Sequence, residues 1–273
     1  YFIPKPVDPR LITEVSMAVA KAAMVKNEHE IELMRVANGM TATILDELVA
    51  NVRPGVPTIF FDELARKMCR DMGVVPNFLN YCGYPFALCC SVNETIILKE
   101  GDIVSFDMGV NYKGFHGDSA RTAFCGEVSE EARHLSEVTK RCLELGIAEA
   151  HPGNNLYAIS AAVQRHAEME GLHVIRDFVG HGIGASLHEK PEVPNFVPRG
   201  GMENGIPGGV PLKPGMVLAI EPMLAIGTHE VEIMADGWTT KIKDRSLSAH
   251  WEHTVAIRPD GAEILSVAEN YRP

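Results

Sequence analysis

Leu98-Lys99-Glu100-Gly101-Asp102-Ile103-Val104-Ser105-Phe106-Asp107-Met108 and Leu212-Lys213-Pro214-Gly215-Met216-Val217-Leu218-Ala219-Ile220-Glu221-Pro222 are two versions of one pattern. Each opens on a leucine, turns at Lys-x-Gly and enters a short apolar run ending on an acid, nine residues after the leucine. Short apolar runs bounded by a glycine turn predict buried strands. The repetition extends upstream. Pro54-Gly55 opens a stretch closing at Gly73, and Pro152-Gly153 one closing at Gly171, each glycine 19 residues after its proline. Phe61, Leu64, Ala65, Met68 and Met72 recur at helical spacing behind Thr58, read as a cap. Leu156, Ile159, Val163 and Ala167 do so behind Asn155. A glycine just past the last periodic residue is a helix stop. A long helix precedes each Pro-Gly: Glu30 to Ala50 with Met34, Ala37, Met40, Ile44 and Leu48 on one face, and Glu130 to Ala150 with Leu135, Val138 and Cys142 behind a Ser129 cap. Two α+β halves, each delivering an acid from a strand, predict one pseudo-symmetric domain with its site between the halves.

Composition narrows the classes. The 273 residues are 46% hydrophobic and 22% charged, an ordinary globular balance. The formal charge of −11 and the lack of a basic run argue against nucleic acid as a direct partner. No apolar stretch reaches the roughly 18 residues of a spanning helix, so no membrane partner is expected. Residues 1–10 carry three prolines and lack the charged and apolar regions of a signal peptide. Tyr1 stands where an initiator methionine would, which predicts that the natural chain begins earlier. None of Cys69, Cys82, Cys89, Cys90, Cys125 and Cys142 forms a C-x-x-C pair, so they read as reduced thiols rather than a zinc knuckle.

Asp107 and Asp118 flank Asn111-Tyr112-Lys113-Gly114, read as a four-residue turn. A tight hairpin centred there places the two acids directly opposite each other on one face. Buried, they must share a proton or bind a cation; exposed, they are two solvated carboxylates, and these two residues alone leave both readings open. His181 lies among glycines in Gly180-His181-Gly182-Ile183-Gly184. Glu221 sits inside an apolar strand, where an unpaired carboxylate is costly. Glu252 precedes the apolar run Thr254 to Ile257. One histidine and four carboxylates suit Mn, Fe, Co or Zn, and four negative charges balance two divalent ions.

In order and in local words these residues resemble the pita-bread metallopeptidases. The words are Phe115-His116-Gly117-Asp118, Gly180-His181-Gly182-Ile183-Gly184, Ile220-Glu221-Pro222-Met223 and Asp236-Gly237-Trp238-Thr239. Lys243 to Ala249 ahead of Glu252-His253 resembles the type I methionine aminopeptidases in particular. The resemblance runs from about residue 27 to 268. It implies an α+β pita-bread fold with antiparallel sheet and flanking helices, a single catalytic domain over 27–273, and an N-terminal extension over 1–26. It implies two divalent metal ions, with Asp107 on one, Asp118 and Glu252 shared, and His181 and Glu221 on the other. A hydroxide between them would attack the scissile carbonyl, Glu221 would shuttle the proton, and His188 would donate to the carbonyl oxygen. The implied methionine pocket is Phe78, Tyr81, Tyr84, Cys89, Leu187 and Trp238, with His188 at its edge; Phe78 is bulkier than the cysteine often found there. The implied substrates are N-termini of nascent polypeptides at the ribosome, and the implied enzyme is a cytoplasmic monomer.

Two departures stand out. In the family, Ser-x-Asn-Glu is followed by a His-Gly-Ile-Pro loop; here Ser91-Val92-Asn93-Glu94-Thr95-Ile96-Ile97 runs straight into Leu98. The reading favoured is an interruption of the chain between Ile97 and Leu98 rather than a true deletion. Pro198 to Pro211, with five glycines, reads as a flexible surface loop. The rival readings are an Xaa-Pro peptidase on the same fold and an inactive relative that only binds partners.

Overall fold

The computed structural model describes residues 24–92 and 96–272. The first half opens at Asn27, whose side chain accepts from Glu30 N while the Glu30 carboxylate accepts from Asn27 N; this capping box starts α1 (Glu28–Ala50). Helix α2 spans Thr58–Met72. Ile44, Leu45 and Leu48 of α1 and Phe61 of α2 bury themselves against Phe106, Met108 and Val110 of the first sheet. That sheet is antiparallel: Ile103–Tyr112 lies between the Cys89–Val92 strand and the short Val75–Pro76 strand, and also pairs with Phe115–Phe124. The second half repeats the scheme with α3 (Glu130–Ala148), capped by the Ser129 side chain, and α4 (Leu156–Met169). Its five-stranded antiparallel sheet runs in the order Gly261–Ile264, His253–Arg258, Val217–Ile220, Gly180–Gly182, Glu189–Val193.

The internal repeat is visible bond by bond. Gly73 N donates to Arg70 O and Val74 N to Cys69 O; Gly171 N donates to Glu168 O and Leu172 N to Ala167 O. Gly73 and Gly171 take φ of 69° and 76°, the left-handed turn that ends both helices. Gly101 N donates to Cys125 O and Gly215 N to Ile257 O, each at 2.9 Å, with φ of 91° and 90°. The two matched glycine turns therefore play one role in two copies.

Several sequence expectations are corrected. Thr58 and Asn155 make no side-chain cap. Instead the first helical N–H of α2, Thr58 N, donates to Ile96 O at 2.9 Å, and that of α4, Leu156 N, donates to Val210 O at 2.8 Å. A passing backbone carbonyl replaces the cap in both halves. The hairpin turn is two residues, Lys113-Gly114, not four. Both take positive φ, 51° and 87°, which suits the twist of the flanking strands. Asp107 therefore faces Ala120 and Asp118 faces Gly109. The register is off by two residues, an even number, so the two aspartates still share a face as diagonal neighbours.

Leu98 N donates to Val56 O, Gly55 N donates to Leu98 O, and Ile97 bridges Pro57, so successive residues take successive rungs. The second half has the same link, with Leu212 N on Asn154 O and Asn155 bridging Pro211. The Gly-rich loop holds a small hairpin, Met202–Glu203 with Ile206–Pro207, and its Gly208 O accepts from Tyr157 N at the start of α4. Of the expected extension, residues 1–23 lie outside the described residues. Val25 bridges Met216 and Lys26 N donates to Gly215 O at 2.7 Å, which ties residues 25 and 26 to the second half.

Gly117 is where α1 touches the hairpin. A Cβ there would lie 2.6 Å from Asn38 N and 2.7 Å from Ala37 C, both backbone atoms. Gly117→Ala is expected to cost about 1–3 kcal/mol by forcing the helix outward, read as a lowered midpoint of thermal denaturation. An unchanged midpoint would show that the helix yields freely.

Candidate metal centre

The halves meet along a seam of hydrogen bonds. Thr122 Oγ1 donates to His250 O (2.8 Å), Glu252 N to Ala120 O (3.0 Å), Ser119 Oγ to Glu252 O (2.7 Å) and Thr254 Oγ1 to Asp118 O (2.7 Å). This seam delivers Glu252 from the second half beside Asp107 and Asp118 from the first. One oxygen from each of the three carboxylates lies within 4.8 Å of the other two. Asp118 and Glu252 are buried, at 3% and 2% exposure. Gly109 makes room for them: a Cβ there would stand 2.8 Å from Asp118 Oδ1 and 2.2 Å from Asn77 Nδ2. On the other side of α1, Asn38 Oδ1 accepts from Asp118 N.

His181 and Glu221 complete the cluster from the second sheet. His181 pairs with Ala219 in the ladder, and Glu221 follows the strand that ends at Ile220. His181 Nε2 lies 3.8 Å from Asp118 Oδ2 and 3.6 Å from Glu221 Oε1. Its Nδ1 donates to Gly182 O at 2.9 Å, which leaves Nε2 with a lone pair facing the carboxylates. Asn195 Nδ2 donates to Glu221 O at 3.0 Å and fixes the backbone there.

The electrostatics are those of a cation site. Burial pushes the Asp107 carboxyl up to about 7. Asp118, Glu221 and Glu252 are driven well above the ordinary carboxylate range, first by burial and then by one another's charge. Burial lowers His181 to about 4, so the imidazole is neutral and able to coordinate. Asp107 Oδ1, Asp118 Oδ1 and Glu252 Oε1 are buried without a hydrogen-bond partner. Orphaned carboxylate oxygens beside a neutral imidazole fit a hard or borderline divalent ion.

The remaining predicted residues fall into two groups. His188 stacks edge-on against His181, ring centroids 4.4 Å apart, and its Nδ1 shares a 2.8 Å hydrogen bond with Tyr81 Oη. Tyr84 packs against Trp238 at 5.3 Å, and Cys89 pairs with Asp107 across the sheet. Phe78 and Leu187 lie in an apolar cluster with Ile31, Met34 and Ile183. His250 was missed by sequence reasoning. Its buried Nε2 has no hydrogen-bond partner and stands 3.8 Å from Glu221 Oε2. Its place two residues ahead of Glu252, on the strand Ser248–His250, was the available signal.

This arrangement has known counterparts. The model of metallopeptidase family M24 matches residues 32–259. The methionine aminopeptidase of Clostridium perfringens is 46% identical over 89% of this chain and 98% of its own length. Methionine aminopeptidase 1 of Bacillus subtilis is 40% identical over 88% of this chain and 98% of its own. The crystal structure of the Thermotoga maritima methionine aminopeptidase superposes with a TM-score of 0.83 at 41% identity, covering 89% of this chain and 98% of that one. The Pyrococcus furiosus prolidase shares the fold at a TM-score of 0.71 and 17% identity. The chain belongs to metallopeptidase family M24 and has its pita-bread fold. Within that family it falls with the methionine aminopeptidases, not with the prolidases, which it matches in fold alone.

A pH signature follows. Each carboxylate here has a folded-state pKa above its unfolded value. The metal-free fold therefore binds more protons than the unfolded chain and loses stability as pH rises through the folded values. His181 and His250, with folded values near 4 against an ordinary 6.5, act oppositely, but only between those two values. Above 6.5 the histidine contribution, His253 included, fades and the carboxylates dominate. Chelator-treated protein is expected to show a falling denaturation midpoint from pH 6.5 to about pH 8, and added Mn or Co to raise that midpoint most at the alkaline end. A midpoint that climbs with pH in the absence of metal would contradict the site.

Proposed function

We propose that this chain removes the N-terminal methionine from polypeptides, using two divalent ions held by Asp107, Asp118, His181, Glu221 and Glu252. The observation that carries the reading is the trio of carboxylates from both halves, with one oxygen of each within 4.8 Å of the others and one oxygen of each buried without a hydrogen-bond partner. Such a trio is unstable without positive charge. These five residues would hold the ions, which would be Mn, Fe, Co or Zn. When bound, a divalent pair makes a bound water acidic and polarises a carbonyl.

The chain's own groups supply the rest. Glu221, whose raised pKa suits a proton carrier, takes the proton of the attacking water and passes it to the leaving amine. His188 is oriented by the Tyr81 hydroxyl through Nδ1, which leaves Nε2 to donate to the carbonyl oxygen as charge develops there. Tyr84, Cys89 and Trp238, together with Phe78, Tyr81 and Leu187, are the residues assigned here to receive a thioether side chain. One methylene in such a pocket changes selectivity by only about 1–3 kcal/mol, so close analogues of methionine are accepted more slowly rather than refused. Nascent chains at the ribosome, a monomeric working form and a cytoplasmic setting complete the proposal; the acidic charge and globular composition support a freely diffusing enzyme.

The test is hydrolysis of Met-Ala-Ser against an Ala-Pro peptide, with Mn, Fe or Co supplied. Release of methionine is expected, and Glu221→Gln is expected to lower kcat about 10²- to 10⁴-fold. Preference for the proline peptide, or no turnover with any of the metals, would overturn the reading.

A further inference from the structure

We propose that Lys26, which precedes the first helix, is a positioning residue for His188. The inference rests on the role given to His188 above. His188 stands on a turn between the Gly180–Gly182 strand and the Glu189–Val193 strand, and its ring is on the exposed side of the site. Backbone bonds hold the start of this turn: His116 N donates to Gly184 O and Gly184 N to Ser186 O. The far end depends on Glu189, the residue next to His188. Glu189 Oε1 accepts from Ser186 N at 3.0 Å, and Glu189 Oε2 receives Lys26 Nζ at 2.6 Å. One carboxylate thus closes the turn on itself and fastens it to another part of the chain.

Lys26 is a fixed anchor. Its backbone N–H is bound to Gly215 O, its neighbour Val25 bridges Met216, and its side chain is 5% exposed against 17% for Glu189. The pair is packed under the turn: a Cβ at Gly184 would meet Lys26 Cε at 2.5 Å and Glu189 Oε1 at 2.8 Å. A buried ion pair that loses one partner leaves the other charge uncompensated. Without Lys26, Glu189 would seek solvent and carry His188 with it, away from its 4.4 Å stack on His181. A displacement of about 1 Å in a group that orients the reacting carbonyl can cost about 100-fold in rate. Val25 and Lys26, just ahead of α1, are therefore part of what positions His188.

The experiment is a cycle on the full chain loaded with Mn, read with Met-Ala-Ser: Lys26→Met, His188→Ala and both together. Lys26→Met is expected to lower kcat about 10- to 100-fold with little change in KM or in the Mn bound per chain. The double variant is expected to fall within about twofold of His188→Ala alone, because the two residues act in series. Lys26→Arg is expected to restore most of the rate. Glu189→Gln keeps an acceptor for Ser186 and removes only the charge, and it is expected to reproduce Lys26→Met should that variant fold poorly. Losses that multiply in the double variant, or wild-type turnover in both Lys26→Met and Glu189→Gln, would overturn the proposal while leaving the aminopeptidase reading intact. Absence of turnover in the unaltered chain would overturn that reading instead.

Discussion

Carboxylates that share one buried space repel, and this fold puts four of them around one imidazole. Burial pushes all four toward their neutral forms, and the charge of neighbouring carboxylates adds to this at Asp118, Glu221 and Glu252. Among the described residues a backbone bond from Ser119 works the other way on Asp118, but one oxygen each of Asp107, Asp118 and Glu252 has no donor. The glycines at 109 and 117 and the asparagines at 38 and 195 position the carboxylates and their backbone without neutralising them. A divalent cation does what they leave undone, so the architecture around the site is an arrangement for creating and then satisfying a concentrated negative charge.

The duplication explains how the chain achieves this with separate segments. Each half contributes a glycine turn, a buried strand and an acid near its end, and the halves are joined by side-chain and backbone bonds from Thr122 to Thr254. The same local design also ties each helix start to a passing carbonyl, Ile96 in one half and Val210 in the other. The copies then diverged in their contents. Where the first half pairs Asp107 with Ala120 in its ladder, the second half carries Glu252 in the bond that reaches back to Ala120. The symmetry supplies a rigid frame, and the departures from symmetry supply chemistry.

Much of this was legible in the residues. Helical periodicity found the four α-helices of the described residues, and glycine spacing found the stops of two of them, at Gly73 and Gly171. The two acids ending matched strands were legible for the same reason, since apolar runs tolerate a carboxylate only under compensation. The hairpin register was misjudged because Asn111 and Gly114 both favour turns, and only φ at Lys113 reveals the two-residue form. The aspartates kept a common face because side chains alternate with period two. Thr58 and Asn155 looked like caps because their types are right, but neither side chain caps its helix, and a carbonyl from far along the chain takes the first helical N–H. His250 and the Lys26–Glu189 pair escaped because their significance lies in contacts between distant segments, which no local spacing encodes.

Anomalous scattering from crystals of the chain soaked in Mn would test the central claim most directly. The account predicts two peaks enclosed by Asp107, Asp118, His181, Glu221 and Glu252. Peaks elsewhere, or an empty cluster in crystals of a form that hydrolyses Met-Ala-Ser, would contradict it.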